Sequence, residues 1–222
     1  MPFPTDTGRA VLTTNIVVFS LRDEQLKLLL VRRRNPPFQD CWSLPGGVVG
    51  EDEDIEANAM RKLAEGTGVT GVYLEQLCTF GDPGRDPRER VVSVAYYALV
   101  PSERLRLRDN GDSEDVAWFA VDALPELAFD HGAMVDVAHQ RLAAKLDYST
   151  IAFQFMPERF TLSDLQNVYE MILNRSLDKR NFRKRMLAME QIRQTGEVRR
   201  NGSHRPARLY RVSNPSEVQI IK

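Results

Sequence analysis

A glycine turn followed by an amphipathic helix limits the possible folds of this chain more than any other feature. The turn is Leu44-Pro45-Gly46-Gly47, and the helix ends at Gly68. The apolar residues of the helix recur every four positions: Ile55, Ala59 and Leu63. Positions 62, 65 and 66 stand at the helical spacings i, i+3 and i+4, so their side chains project from one face. The segment therefore predicts one polar helix face beside a tight turn.

The spacing of this segment resembles the Nudix box, in which a glycine, a glutamate and a glutamate-rich helix stand at fixed intervals. Seven residues match the pattern: Gly47, Glu53, Arg61, Leu63, Glu65, Gly68 and Val69. Lys62 and Gly66 stand where the box has glutamates. Carboxylates at those places would hold Mg²⁺, which orients a pyrophosphate for attack by water. A lysine repels the metal and a glycine removes a ligand, so we expect no required metal and at most weak hydrolysis.

Strand patterns surround the box. Apolar runs rich in β-branched residues cover 13–20 and 26–31 with a polar turn between them, and a third run, 91–100, is apolar on both faces and therefore central. A fourth candidate covers 115–121. Strands and helices that alternate in this way predict an α+β fold, and the resemblance implies a Nudix-type α/β/α sandwich with a mixed sheet.

Residues that flank the box resemble one branch of the Nudix superfamily, the ADP-ribose hydrolases and their regulatory relatives. The similarity runs through Arg32-Arg33, Trp42 to Gly47, Arg85-Asp86-Pro87-Arg88 and Trp118-Phe119. It implies an effector site for ADP-ribose or a related nucleotide, although Arg33 could instead cap a strand or pair with a carboxylate. The effector-binding residues that it implies are Arg33, Gly46, Gly47, Glu53, Arg61 and Glu65.

Charge divides the chain into two parts. Residues 1–150 carry 16 Lys and Arg against 24 Asp and Glu, whereas residues 151–222 carry 14 against 7. A basic segment joined to an acidic one indicates a polyanion as the partner of the basic part. We therefore predict an effector-sensing domain over 1–150 and a DNA-binding domain over 151–222.

The basic part has the pattern of a helix-turn-helix. Thr161 is placed to cap one helix and Asp178 a second, whose apolar residues Phe182, Met186 and Met189 would face inward. Two strand candidates, 197–200 and 207–212, follow as a basic hairpin, which indicates a wing. The predicted DNA-binding residues lie on the second helix and the wing: Lys179, Arg180, Asn181, Arg183, Lys184, Arg199, Arg200, His204 and Arg205.

The same region resembles the C-terminal domain of the Nudix-related transcriptional regulators of NAD metabolism, the NrtR family. The similarity includes Phe160-Thr161-Leu162, the run from Leu177 to Arg183 and His204-Arg205-Pro206-Ala207. It implies a homodimeric repressor of NAD biosynthesis or salvage genes that leaves double-stranded operator DNA when ADP-ribose binds. Two winged helices on half-sites one helical turn apart fit such a dimer.

Other functions remain open at this point. The chain could be an active ADP-ribose pyrophosphatase with an appended DNA-binding domain, a regulator of the same family that responds to a sugar metabolite, or a Nudix scaffold whose tail binds protein or RNA. For the C-terminal part, a small helical docking module with a solvated basic face is a further alternative. His131 is expected in a polar turn with a capping or hydrogen-bonding role.

The chain has no feature of an exported or membrane protein. Cys41 and Cys78 have no metal-ligand spacing, and no apolar run approaches the roughly 18 residues that span a bilayer. We therefore expect a cytoplasmic protein without a membrane partner.

Overall fold

The computed structural model describes residues 8–102, 115–200, 206–214 and 217–221. Within these residues the chain forms two compact units. The first is drawn from residues 8–18, 28–98 and 115–137, and the second from residues 19–27, 99–102 and the described residues after 137. Among the described residues, no helix has the length and apolar character needed to cross a membrane.

A seven-stranded sheet organises the N-terminal part. The strands are β1 (Val11–Arg22), β2 (Gln25–Arg32), β3 (Trp42–Ser43), β4 (Gly46–Val48), β5 (Tyr73–Phe80), β6 (Val91–Val100) and β7 (Val116–Ala120). The main path of the sheet runs β3-β2-β1-β6-β5, while β4 pairs antiparallel with β1 and β7 pairs with β2. The predicted central run, β6, lies between β1 and β5 and is almost entirely buried, which confirms that both its faces are covered.

The first two strands are longer than the sequence predicted. The polar turn between them contains only Asp23 and Glu24, both with positive φ, as a two-residue hairpin turn of type I′ requires. Residues 21, 22 and 25, which were expected in the turn, therefore belong to the strands.

The box helix is α1 (Ile55–Thr67), and its ends have clear local causes. The side chain of Asp54 accepts hydrogen bonds from the backbone N–H groups of Glu56 and Ala57, and so caps the first turn. Gly68 ends the helix at φ 73°, a left-handed conformation that favours glycine. The predicted position and end of this helix are confirmed.

The described residues of the C-terminal part form four helices or helix segments and a hairpin. These elements are α2 (His131–Tyr148), a short 3₁₀ helix (Ile151–Phe155), α3 (Leu162–Leu173), α4 (Lys179–Ala188), β8 (Ile192–Arg199) and β9 (Ala207–Val212). The predicted caps are both present: Thr161 and Asp164 form a reciprocal capping box on α3, and Asp178 accepts from the backbone N–H of Asn181 on α4. The helix-turn-helix is confirmed.

The hairpin differs from its prediction in extent. β8 begins at Ile192, five residues before the predicted strand, and a bulge at Gly196, with φ 86°, interrupts its pairing with β9. The backbone of Phe160 pairs with Tyr210 on both sides, at 3.0 and 2.8 Å, so the hairpin is joined to the start of α3. Two predicted wing residues, His204 and Arg205, lie outside the described residues.

Two smaller expectations are corrected. Met189 was expected to face inward, but it follows the last residue of α4 and is only partly buried, whereas Phe182 and Met186 are buried. His131 was expected in a polar turn, but it is the first residue of α2 and its exposed fraction is 3%.

Candidate functional site

The first unit contains a cavity of about 290 Å³. Its walls are formed by β1 and β4, the end of β2, the segment 85–88 and the start of α2. Three of the predicted effector residues line it: Arg33, Gly46 and Gly47. Several other lining residues were not predicted as site residues: Asn15, Arg85, Arg88, Phe129 and His131.

Arginine side chains dominate the charged lining of the cavity. Four arginines line it, against the single carboxylate of Asp86. The guanidinium of Arg88 binds Asp86 through two hydrogen bonds of 3.0 and 2.7 Å, and this contact lowers the pKa of the carboxyl group. Arg85 and Arg32 are also paired, with Asp130 and Asp40 outside the lining, so one positive charge, that of Arg33, remains in excess. An excess positive charge suits an anionic ligand. The arginines are Arg32, Arg33, Arg85 and Arg88.

Arg85 is the most buried of these cations. Only 4% of its side chain is exposed, and its guanidinium binds Asp130 in a bidentate pair with distances of 2.9 and 2.7 Å. A bidentate pair fixes the plane of the guanidinium as well as its position. Arg85 is therefore held rigidly beside the cavity.

One aromatic ring lies beside two of the other guanidinium groups. The ring of Phe129 lies 4.7 Å from the guanidinium carbon of Arg33 and 5.9 Å from that of Arg88. Phe38 packs on the same ring with a centroid distance of 4.8 Å. Such contacts stabilise cations while leaving their N–H groups available for hydrogen bonds. Arg33 also donates to the carbonyl of Pro37 at 2.9 Å, so it is anchored within the rim.

His131 is a neutral acceptor at the base of the cavity. Its Nδ1 accepts a hydrogen bond of 3.0 Å from the backbone N–H of Leu44, so the predicted hydrogen-bonding role is present. Burial, above all, lowers the pKa of His131 to about 3; Arg85 and Arg33 act in the same direction and Asp130 against it. The side chain is therefore uncharged at neutral pH and fixes the turn that precedes Gly46.

This burial predicts a pH dependence of stability. In the unfolded chain His131 regains an ordinary pKa near 6.5, so the unfolded state takes up the proton first as the pH falls. The contribution of neutral His131 to the free energy of unfolding is complete above about pH 6.5 and is lost as the pH falls toward 3. Between pH 6 and 5 we expect the free energy of unfolding to fall by about 1 kcal/mol.

The measurement is denaturant-induced unfolding at pH 6.0 and 5.0. The matched variant is His131→Asn, whose side-chain oxygen can accept from Leu44 but does not titrate in this range. This variant should lose most of the dependence. Equal slopes in both proteins would contradict the assignment of the pH dependence to His131.

The box helix carries a closed network of ion pairs. Arg61 binds Glu53 in a bidentate pair with both distances at 2.7 Å, and it also binds Glu65 at 2.8 Å. Lys62 binds the second oxygen of Glu65 at 3.1 Å. The Arg61 contact, first of all, lowers the pKa of Glu53 to about 2 and also lowers that of Glu65. Both carboxylates that remain from the box are thus ionised and paired with cations.

The other three predicted effector residues, Glu53, Arg61 and Glu65, belong to this network and do not line the cavity. A buried chain of polar groups connects them to it. Asn58 donates to Glu53 at 2.7 Å and to the carbonyl of Val48 at 2.9 Å, and it accepts from the cavity-lining Thr14 at 2.6 Å. Their role as direct ligand contacts therefore stays a prediction.

Close approach of the backbone requires glycine at position 46, whereas Gly47 lies against a flexible side chain. A Cβ atom on Gly46 would collide with the carbonyl oxygen of Thr14, so β4 could not pair with β1. A Cβ atom on Gly47 would lie 2.8 Å from Cε of Lys62. The box helix and the cavity rim thus meet at Gly47, with the lysine stem packed on the turn.

The second unit exposes a row of cations on α4. Lys179, Arg180, Arg183 and Lys184 are all exposed, and none of them has a side-chain partner among the described residues. Asn181 is exposed beside them. The buried side of the same helix, with Phe182 and Met186, packs inward, and the ring of Phe182 meets Tyr169 of α3 edge-on at 5.1 Å. The packing leaves the cationic side of the helix available to a polyanion.

Two other arginines are held by the protein. Arg185 donates to the carbonyls of Leu146 and Asp147 at 3.0 and 2.9 Å, which fixes α4 against the end of α2. Arg199, predicted to contact DNA, binds Asp164 at 2.7 Å, while Arg200 is exposed. Arg199 therefore also joins the hairpin to the capping box of α3.

Comparison with known proteins agrees with both parts of the chain. Residues 11–137 match the family model of the NUDIX domain, and residues 152–212 match that of the NrtR DNA-binding winged helix domain. The ADPR responsive transcriptional repressor NtrR of Acinetobacter baylyi is 38% identical over 211 residues, which cover 93% of this chain and 84% of that protein. The chain belongs to the NrtR family.

Solved structures of an NrtR protein are similar to this one. The crystal structure of Shewanella oneidensis NrtR in complex with a 27mer DNA is 40% identical, has a TM-score of 0.82, and the match covers 92% of this chain and 94% of that one. The NUDIX domain of the same NrtR, solved with ADP ribose, is 42% identical with a TM-score of 0.55, over 64% of this chain and 94% of that domain. The expected α+β architecture of a Nudix domain followed by a winged helix is confirmed.

Proposed function

We propose that this NrtR protein is a homodimeric repressor of NAD biosynthesis or salvage genes that binds operator DNA and releases it when ADP-ribose occupies the cavity of the first unit. The observation that carries the proposal is the presence, in one chain, of an arginine-lined cavity and of an unpaired cationic side of α4 among the described residues. The relatives named above, which respond to or bind ADP-ribose and DNA, support it.

The cavity fits the chemistry of a dinucleotide fragment such as ADP-ribose. The two linked phosphates of ADP-ribose need cationic partners, and guanidinium groups bind phosphate oxygens through paired hydrogen bonds. Arg33 is the best placed, because it is partly exposed, lies over the ring of Phe129 and is anchored by the carbonyl of Pro37. Arg88 lies near the same ring but already pairs with Asp86. Thr14, Asn15 and the backbone of the Gly46-Gly47 turn offer polar contacts for hydroxyl groups.

The winged helix fits double-stranded DNA. An α-helix enters the major groove, where its exposed side chains read base edges, while hairpin cations contact the phosphates. Arg180, Arg183 and Lys184 would reach base edges from α4. Arg200 and, beyond the described residues, Arg205 would follow the backbone. A homodimer would place two such helices on half-sites one helical turn apart.

The decisive experiment is a mobility shift with DNA from upstream of the genes that neighbour its own. The protein should retard this DNA and not a scrambled duplex of equal length, and ADP-ribose should release it, with AMP as the matched control ligand. ADP-ribose should lower the affinity for this DNA by about 5- to 150-fold, which corresponds to a typical coupling free energy between two sites. Absence of a specific shift, or a shift that ADP-ribose leaves unchanged, would contradict the proposal.

We further infer that the first unit does not hydrolyse its ligand. The donor set of the box does not fit a divalent cation, because the one carboxylate left at positions 62, 65 and 66 is already bound by Arg61 and Lys62. Mg²⁺ needs oxygen ligands and is usually held by one or two carboxylates that are free to bind it. No group of three or more metal-ligating side chains stands together in the described part of the chain.

This inference predicts no turnover of ADP-ribose with Mg²⁺ above that of a Glu65→Ala control. The measurement is the release of AMP and ribose 5-phosphate, followed by chromatography over hours at high protein concentration. A rate well above the control would show that the remaining residues suffice for catalysis and would overturn the inference. It would then favour an active pyrophosphatase with an appended DNA-binding domain.

A further inference from the structure

The lysine that interrupts the box lies at the border between the helix and the cavity. Its stem packs on Gly47, a cavity-lining residue: a Cβ atom placed on that glycine would lie 2.8 Å from Cε of Lys62 and 3.5 Å from its Nζ. About a quarter of the side chain, 26%, is exposed. The ammonium group therefore stands next to the turn that forms the rim of the cavity.

Lys62 can leave its present partner without isolating it. It binds one oxygen of Glu65 through a single contact of 3.1 Å, in an exposed i, i+3 pair. The other oxygen of Glu65 is bound by Arg61 at 2.8 Å, so that carboxylate would stay paired. An ammonium on a four-carbon stem with three rotatable donors can turn toward a phosphate oxygen at little cost.

The Lys62 ammonium is positive, as is the divalent cation that a complete box would bind. A divalent cation on this helix face would neutralise the phosphates of a ligand against the glycine turn, and Lys62 places a fixed positive charge on that face. Lysine binds phosphate as a point charge, without the geometric demands of a metal site. It does not activate water as a bound metal does.

We propose that the Lys62 ammonium takes the place of the divalent cation and contacts the diphosphate of the bound nucleotide, so that ligand binding needs no metal. This proposal rests on the proposed function, because it assumes a diphosphate ligand in the cavity. It goes beyond the absence of hydrolysis: the substitution that removes the metal site also supplies a binding residue.

The test is calorimetric titration of the full chain with ADP-ribose, in EDTA and in Mg²⁺. The wild type should give the same Kd in both, within about twofold. Lys62→Met, which keeps the stem on Gly47, should raise Kd roughly 10- to 100-fold through loss of one charge-assisted hydrogen bond. Lys62→Gln provides a second neutral variant. Lys27→Met, which removes a lysine paired with Asp23 in the same way, is the matched control and should bind like the wild type.

Each outcome decides between the two proposals. If the wild type binds ADP-ribose but both neutral variants bind equally well, or if EDTA abolishes binding, the role of Lys62 is wrong and the proposed function stands. If the wild type does not bind ADP-ribose, the proposed effector is wrong, and titration with inorganic pyrophosphate decides about Lys62. Pyrophosphate binding that the neutral variants weaken supports the contact, whereas no binding, or equal binding, overturns it.

Discussion

Alanine at Arg180, Arg183 or Lys184 will weaken binding to the operator while leaving binding to unrelated DNA almost unchanged. A side chain that reads a base edge contributes about 1–3 kcal/mol of discrimination, so each such variant should lose roughly 5- to 150-fold in operator affinity. All three side chains are exposed on α4, and Asp178 and the buried Phe182 and Met186 fix that helix. We expect each of these three substitutions to weaken operator binding more than any other single substitution on the protein surface.

The ratio of two affinities is the measurement. Each variant is titrated against the operator and against a scrambled duplex at one salt concentration, without ADP-ribose. A phosphate contact lowers both affinities alike, whereas a base contact lowers only the first. Arg34→Ala is the matched control, because Arg34 is an exposed arginine of the first unit that pairs with Asp115. If all three variants keep the wild-type ratio, α4 does not read the operator.

Removal of Asp130 will strongly destabilise the first unit. Arg85 would then carry a buried charge without its carboxylate, and breaking a buried ion pair on one side costs about 3–5 kcal/mol. For a chain of this size the loss lowers the thermal midpoint by roughly 6–20 °C. Asp130→Ala should also weaken effector binding, because Arg85 lines the cavity and would no longer be held in one orientation.

Two further variants separate charge from packing. Asp23→Asn removes the charge of an exposed carboxylate that pairs with Lys27 and keeps a residue that tolerates the positive φ of the turn, so it should change the free energy of unfolding by less than about 1 kcal/mol. The double variant Arg85→Met, Asp130→Leu removes both charges and should be more stable than Asp130→Ala alone. Thermal unfolding of the four proteins provides the comparison. Equal midpoints for Asp130→Ala and the wild type would contradict the importance of the buried pair.

The DNA-binding part was the more predictable from sequence. Its helix caps, Thr161 and Asp178, bond to residues three positions away, and the apolar residues of α3 and α4 recur at three or four positions. Both features can therefore be predicted from one short segment at a time. The extent of the hairpin was less predictable. Its additional residues pair across a bulge at Gly196, and the strand partner Tyr210 is positioned by Phe160, fifty positions earlier in the chain.

The cavity was predictable only in part. Arg33, Gly46 and Gly47 could be found because the box and its flanking motif have fixed spacing. The segment Arg85-Asp86-Pro87-Arg88 was recognised as part of the family similarity, but the sequence assigned it no role in the site. Phe129 and His131 had no local signal. His131 looked like a polar turn residue because nothing near it in sequence shows that it becomes buried and accepts from the backbone of Leu44.

By itself the sequence determined the box helix, the two capped helices, the sheet's central strand and the family resemblance, because each depends on local periodicity or on fixed spacing. The tertiary structure alone decided which charges are engaged. It joined Arg85 to Asp130, Arg199 to Asp164 and Lys62 to both Glu65 and the turn at Gly47, and it left the cations of α4 exposed. Burial and pairing of a charge depend on side chains that distant segments bring together, so one charged residue has the same appearance in sequence whether it stabilises the fold or binds a ligand.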